Sequence, residues 1–211
     1  SRWALISTIG ASTRIENAVL TDPEVEWVDT SLTVDGTTTA YETQRPMILD
    51  KLSKDRERSV EEVVGCREMM NLIMLQAGEL FPLTETAIRG LHDALLRFYP
   101  AASHYAGRYK ATTNQVVSSN SQSGERRVVL DPTPPGSQTD AAMRDLVEWY
   151  NGALLKQTWP LLTATEFVFR FLAIHPFQDG NGRIGRGLFV LAMLQAGDPA
   201  LNQACRITSL D

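Results

Sequence analysis

Of the 211 residues, 43% are hydrophobic and 21% charged, ordinary globular usage that excludes a disordered or collagen-like chain and leaves one sizeable domain or two small ones. Twenty Lys+Arg against 25 Asp+Glu leave a net charge of −5, which excludes a nucleic-acid binder held by dense positive charge but not a small basic pocket for phosphate. The longest strongly apolar stretch, around Leu188 to Ala192, falls far short of the roughly 20 residues that span a bilayer.

The chain opens Ser1-Arg2-Trp3 without a charged-then-apolar leader, and its first methionine is Met47. It is therefore expected to be a piece of a longer cytoplasmic protein, cut at both ends. Cys66 and Cys205 lie far apart without CxxC spacing and are expected to be reduced core thiols. Residues 1–40 read as an N-terminal segment and 41–211 as the core of one domain. Within that segment Ser12 is a good N-cap for the start of a helix.

From Ser59 to Gln76, Val60, Val63, Val64, Met70, Ile73 and Met74 recur at three- and four-residue spacing, which predicts an amphipathic helix stopped by Gly78. Thr84 is the expected cap of a second helix running through Ile88, Leu91, Leu95 and Phe98 to Pro100. Between Gly107 and Gly136 the pattern changes. Tyr109 to Val117 and Arg126 to Leu130 are β-branched or lack helical periodicity, separated by the turn-forming Ser118 to Glu125 and followed by Pro132, Pro134 and Pro135. They predict a β-hairpin. Thr139 or Asp140 is the expected cap of a third helix carrying Met143, Leu146, Val147 and Tyr150. A fourth, about Leu161 to Ile174, is apolar on most faces and is expected at the centre of a bundle. A fifth runs from about Gly182 through Leu188 and Leu191 to Gly197. The expected fold is mainly α, a helical bundle with one β-hairpin.

The chemistry gathers between the fourth and fifth helices, in His175-Pro176-Phe177-Gln178-Asp179-Gly180-Asn181-Gly182-Arg183-Ile184-Gly185-Arg186. A glycine-rich loop entering a helix N-terminus presents backbone N–H groups and a positive dipole end, which suits phosphate. Arg183 and Arg186 can fork onto phosphate oxygens, and Asp179 is a hard oxygen ligand for Mg²⁺ beside a polyphosphate. His175 is the one nearby side chain with an ordinary pKa near neutrality, able to take a proton from an alcohol. Together they describe phosphoryl or nucleotidyl transfer.

Eight specified positions would coincide at random on the order of once in ten billion starts, at roughly 5% per residue type, so chance does not explain the segment. It resembles the signature of the Fic family, His-x-Phe-x-(Asp/Glu)-Gly-Asn-Gly-Arg-x-x-Arg, with no departure at any position. The resemblance extends from about Ser12 to Leu194. It implies a helical Fic-type fold, ATP as co-substrate with Mg²⁺ (or Mn²⁺), and transfer of AMP to a Ser, Thr or Tyr hydroxyl of a target protein, which can be the chain itself. In that reading His175 is the catalytic base and Asp179 holds the metal. Gly180, Asn181 and Gly182 form the anion hole, with Arg183 and Arg186 on the outer phosphates. Phe177 is core packing that fixes the loop, and His92 and His104 are structural or solvated. The hairpin occupies the place of the family's flap, so Thr112, Thr113, Asn114, Gln115 and Val116 are expected to dock the target as an added strand. The related Doc kinases carry Lys at the place of Gly182 and transfer phosphate, so the glycine favours nucleotidyl transfer.

Upstream, Ser12-Thr13-Arg14-Ile15-Glu16-Asn17 resembles the family's inhibitory helix, (Ser/Thr)-x-x-x-Glu-(Gly/Asn), placed before the signature as in class II members. That resemblance implies that Ser12, Glu16 and Asn17 are inhibitory and that Glu16 pairs with Arg186. The expected activity is a protein adenylyltransferase held in check by Glu16. Two alternatives stay open: Glu16 orients a water that strips AMP from a modified protein, or the chain is a regulatory module that holds nucleotide without turnover. The intact His175 argues against the last. Expected partners are ATP and a target protein, without membrane or nucleic acid; a homodimer stays open.

Overall fold

The computed structural model describes residues 2–34, 37–53, 56–119, 126–156 and 159–197. Its centre is α4 (Glu57–Gln76), around which pack α1 (Arg2–Ile15), α2 (Asp22–Ser31), α3 (Tyr41–Leu52), α5 (Glu85–Leu96) and α8 (Asn181–Gly197). Val60, Val63, Val64, Met69, Met70 and Ile73 lie in the core, and the crowding buries charged residues of the same helix. A buried charge needs a partner; Arg67 and Glu62 have close ones, and Glu61 Oε1 lies 3.9 Å from Arg45 Nη2. Arg67 Nε donates to Asp29 Oδ1 at 2.6 Å and its Nη2 to Thr33 Oγ1 at 2.8 Å, while Glu62 Oε1 accepts from Arg58 Nε at 3.0 Å.

The mainly α expectation holds. α7 (Pro160–Ile174), expected at the bundle centre, instead packs mainly on α6 (Ser137–Leu155) and α8, and its Leu161, Leu162 and Phe169 are exposed. Apolar composition measures how much surface a helix can bury, not how many neighbours cover it. Thr84 caps α5 as expected, its Oγ1 accepting from the Ala87 N–H at 3.1 Å. α6 starts earlier than expected, with Gly136 (φ 82°) at its N-cap. Thr139 lies inside the first turn and donates its hydroxyl to Pro134 O at 2.7 Å. α2 and α3 were not among the expected helices. α3 carries Pro46 in its interior, where the ring removes a backbone hydrogen bond, yet Tyr41, Ile48, Leu49 and Leu52 of that helix are buried.

The short pair β1 (Thr33–Val34) and β2 (Thr37–Thr38) is antiparallel. The larger hairpin pairs β3 (Val116–Ser119) with β4 (Arg126–Leu130), Val117 opposite Val128 and Ser119 opposite Arg126, with a register shift between Val116 and Val117. The predicted start at Tyr109 is corrected: Tyr109 makes only an isolated bridge to Phe177, and residues 110–115 form a stem rather than a strand. Ser118 and Ser119, read as turn, belong to β3; the rest of the predicted tip, residues 120–125, lies outside the described residues, as does Cys205. Cys66 is a buried free thiol.

α4 and α5 meet backbone to backbone. A Cβ on Gly65 would stand 2.0 Å from the carbonyl oxygen of Leu95, so only glycine permits this approach. Gly65→Ala must push the helices apart, and it is expected to lower the unfolding free energy by about 3 kcal/mol, the upper range for overpacking. A denaturant midpoint equal to that of the parent would refute this.

Candidate active site

The signature forms the turn between α7 and α8. His175 closes α7 in the left-handed conformation, φ 51°, with its N–H donating to Phe171 O at 2.9 Å. Its ring is half-buried, with Nδ1 3.3 Å from Leu172 O. A carbonyl accepts only, so Nδ1 carries the proton and Nε2 keeps its lone pair. Burial pushes this imidazole below the ordinary histidine range; the nearby Lys110 ammonium acts in the same sense, and the Glu16 carboxylate opposes it. The ring is therefore a neutral base at neutral pH.

The loop is locked from within and below. Asn181 opens α8 and is buried; its Oδ1 accepts from the Phe177 N–H at 2.9 Å and its Nδ2 donates to Phe177 O at 2.7 Å. The Asn181 side chain is thus committed to the loop, and only its backbone is left to meet the expected anion. Phe177 is fully buried, as expected of packing, and stacks on His92 with ring centroids 3.8 Å apart. His92 Nδ1 accepts from the Gly107 N–H at 3.0 Å, so its Nε2–H donates to Asp179 O at 2.9 Å. Desolvation lowers the His92 pKa to about 4, which keeps it neutral and both bonds intact. His92 is therefore structural, as expected, yet it supports the Asp179 backbone directly. Its place among Ile88, Leu91 and Leu95 on the inward stripe of α5 is the signal that marks it. His104 is exposed beside Tyr105. Gly180 holds φ 82°, a conformation that strains any residue with a side chain, and a Cβ there would crowd Leu95 Cδ2 at 3.1 Å.

Charge is arranged along the first turns of α8. Asp179 Oδ1 accepts from the Gly180 N–H and from Arg183 Nη2 at 3.2 Å. The Arg183 side chain is only 3% exposed, and its Nε and Nη1 have no partner among the described residues. Arg186 Nε donates to Ser12 Oγ at 2.7 Å, and its Nη2 to Ser12 O at 3.0 Å and to Glu16 Oε1 at 2.9 Å. The same Glu16 oxygen lies 2.6 Å from where a Cβ of residue 182 would stand, directly over the α8 N-terminus.

α1 explains how Glu16 comes to be there. Ser12 does not start a helix, contrary to the N-cap reading; it lies in the last turn of α1, and Glu16 follows its end. Ala18 N–H donates to Thr13 O, and Asn17 N–H to Arg14 O, each at 3.0 Å, with Asn17 at φ 72°. This is a Schellman ending, in which a left-handed residue, Gly or Asn, turns the chain away. Asn17 is there for its backbone, and Arg186 satisfies a helix-end carbonyl of α1 through Ser12 O.

A family model described as the Fic/DOC family matches residues 82–193, more than half of the chain. The chain belongs to that family. Over 57 residues this Fic chain is also 35% identical to the protein adenylyltransferase fic-1 of Caenorhabditis elegans, a stretch amounting to 27% of this chain and 11% of that relative. Among solved structures it resembles a Fic-domain-containing signalling protein from Bacteroides thetaiotaomicron, at 26% identity and a TM-score of 0.66, covering 94% of this chain and 66% of that one. A Fic family protein from Desulfovibrio desulfuricans shares the fold at 24% identity and a TM-score of 0.65, covering 99% of this chain and 53% of the other. The Fic chain thus spans only part of the length of these relatives.

The Fic fold brings His175, Asp179, Gly180, Asn181, Gly182, Arg183, Arg186, Ser12 and Glu16 to one place. It does not gather the expected docking residues on a strand. Of Thr112, Thr113, Asn114, Gln115 and Val116, only Val116 lies in β3. Thr112 instead donates to Gln178 Oε1 at 2.9 Å, and Asn114 is bonded to the loop itself. Lys110, absent from the expected site, is buried against the same loop. The sign of it in the sequence is a cation inside an otherwise β-like run.

Proposed function

We propose that this Fic chain is a protein adenylyltransferase that moves AMP from ATP to a hydroxyl of a target protein and is held in check by Glu16. The observation that carries the reading is Arg183, a buried guanidinium with two nitrogens unpartnered among the described residues, at the N-terminus of a helix. Buried donors require acceptors, and a helix N-terminus favours an anion; phosphate oxygens meet both demands. The partial likeness to an adenylyltransferase supports AMP as the group moved.

The residues also fit a divalent metal. Asp179 would hold Mg²⁺ (or Mn²⁺), which commonly binds through one or two carboxylates together with substrate phosphates, and the bound ion would neutralise phosphate charge. The backbone N–H groups of Asn181 and Gly182 and the guanidinium of Arg183 orient the phosphates, while the Gly180 N–H stays on Asp179 Oδ1. His175 Nε2 takes the proton of the acceptor hydroxyl as its oxygen bonds to the α-phosphorus. The bond from that phosphorus to the bridging oxygen breaks, and pyrophosphate leaves.

Incubation with α-labelled ATP, Mg²⁺ and a cell lysate, followed by mass spectrometry, is expected to show AMP on protein hydroxyls. Protein that gains phosphate, which would carry no α-label, or no AMP on protein with the parent and Glu16→Gly alike, would sink the reading. Asp179→Ala is expected to weaken metal-dependent ATP binding by about tenfold or more, the scale of one lost charge-assisted contact, and excess EDTA to abolish transfer. Full activity in EDTA would remove Asp179 from the metal role.

A further inference from the structure

Four consecutive carbonyls where α7 passes into the signature loop, Ile174 to Phe177, face two residues of the flap stem. Lys110 Nζ donates to Ile174 O at 3.1 Å, and the Lys110 backbone N–H donates to Pro176 O at 2.8 Å. Asn114 Nδ2 donates to Phe177 O at 2.8 Å and reaches His175 O at 3.5 Å. Lys110 Nζ also donates to Asn114 Oδ1 at 2.9 Å, so each residue of the pair fixes the other. Lys110 is only 3% exposed, yet it sits at the carbonyl end of α7, where the helix dipole favours a cation. The backbone it grips includes His175 at φ 51°. A non-glycine residue keeps that conformation only where its surroundings over-determine it.

We propose that Lys110, clasped to Asn114, is a positioning residue for His175: the pair holds the left-handed turn that aims the imidazole and keeps a cation beside the ring. What the ring then does rests on the adenylyltransferase reading; the clasp does not. The charged groups acting on the ring are Lys110 from the flap stem and Glu16 from the end of α1. The loop and α8 add Asp179, Arg183 and Arg186, of which the first two pair with each other and Arg186 pairs with Glu16. Lys110 disfavours a second positive charge on the imidazole, and Glu16 favours it. Removing the ammonium therefore raises the pH at which the ring protonates, and the acid limb of transfer moves up with it.

The test uses the nucleotide-free protein. The chain has three histidines, so His175 can be followed by NMR titration and assigned with His175→Gln. Lys110→Met is expected to raise the His175 midpoint by about 0.5–1 pH unit, the effect of losing one like charge nearby, while Lys110→Arg stays with the parent. Asn114→Asp keeps the shape but puts a carboxylate on the ammonium and an acceptor against Phe177 O, and it is expected to raise the midpoint too. It carries the test if Lys110→Met does not fold. In the transfer assay Lys110→Met is expected to lower kcat about tenfold or more through a displaced base, with KM for ATP unchanged and part of the loss recovered at higher pH. An unmoved His175 midpoint in the folded variants overturns the proposal. Absence of transfer by every variant and the parent counts against the adenylyltransferase reading instead, and leaves the titration to decide the clasp.

Discussion

His175→Ala is expected to lower AMP transfer by about 10²–10⁴-fold, the usual contribution of a general base, while ATP binding changes by no more than about twofold because phosphate contacts are made elsewhere. The structure separates the two functions. The ring touches Leu172 O through Nδ1, whereas the charged groups at the helix start are Asp179, Arg183 and Arg186. The loop does not depend on the imidazole for its shape either, since Asn181, His92, Lys110 and Asn114 hold its backbone. Loss of the ring should thus be felt in kcat and not in folding. Calorimetry of ATP binding beside α-labelled transfer checks both halves, and unimpaired transfer by a folded variant would take His175 out of the mechanism.

The opposite sign is expected at Glu16. Glu16→Gly should raise AMP transfer about 10²-fold, the cost that a misplacement near 1 Å can impose on an in-line reaction. Glu16 Oε1 stands over Gly182, where a phosphate would meet the α8 N-terminus, and it occupies Arg186 Nη2. Arg186 is not released completely by the change, because Ser12 Oγ and Ser12 O still accept from it. The gain should come mainly from clearing an anion off the helix start. Glu16→Gln, which keeps the bulk and removes the charge, is therefore expected to recover most of the gain of Glu16→Gly.

The position of α1 also limits how the proposed inhibition by Glu16 would be relieved. Ile6 and Ile9 of α1 are buried in the common core, and exposing them would cost roughly 1.5–3 kcal/mol each, so the Glu16 side chain is expected to move before the helix does. Arg186→Ala should not mimic the gain, since it removes a cation beside the phosphates along with the inhibitory contact. If Glu16→Gly transfers no more AMP than the parent, on itself or in lysate, self-inhibition fails. If it also loses an ability to strip AMP from a modified target, the reversed chemistry gains a residue.

Much of the site could be read without coordinates because its chemistry is contiguous. His175 to Arg186 are twelve successive residues, and a glycine-rich turn entering a helix has one local geometry whatever surrounds it. The amphipathic helices α4, α5 and α8 were legible for the same kind of reason: periodicity and caps such as Thr84 are local signals. The misreadings have a shared origin. Ser12 reads as a helix start because its hydroxyl is a good cap, yet the turns before it, buried through Ile6 and Ile9, make it part of a helix end. α7 reads as central from its composition, but only packing shows that α4 holds that place. Local sequence thus determined which groups the reaction could use. Contacts across the chain decided how they stand: Glu16 meets Arg186 over 170 positions, Lys110 meets Ile174 over 64, and His92 meets Asp179 over 87. No pattern in neighbouring residues encodes such distances, because each pairing is set by the packing of whole helices, which bury enough apolar surface to bring the polar ends together.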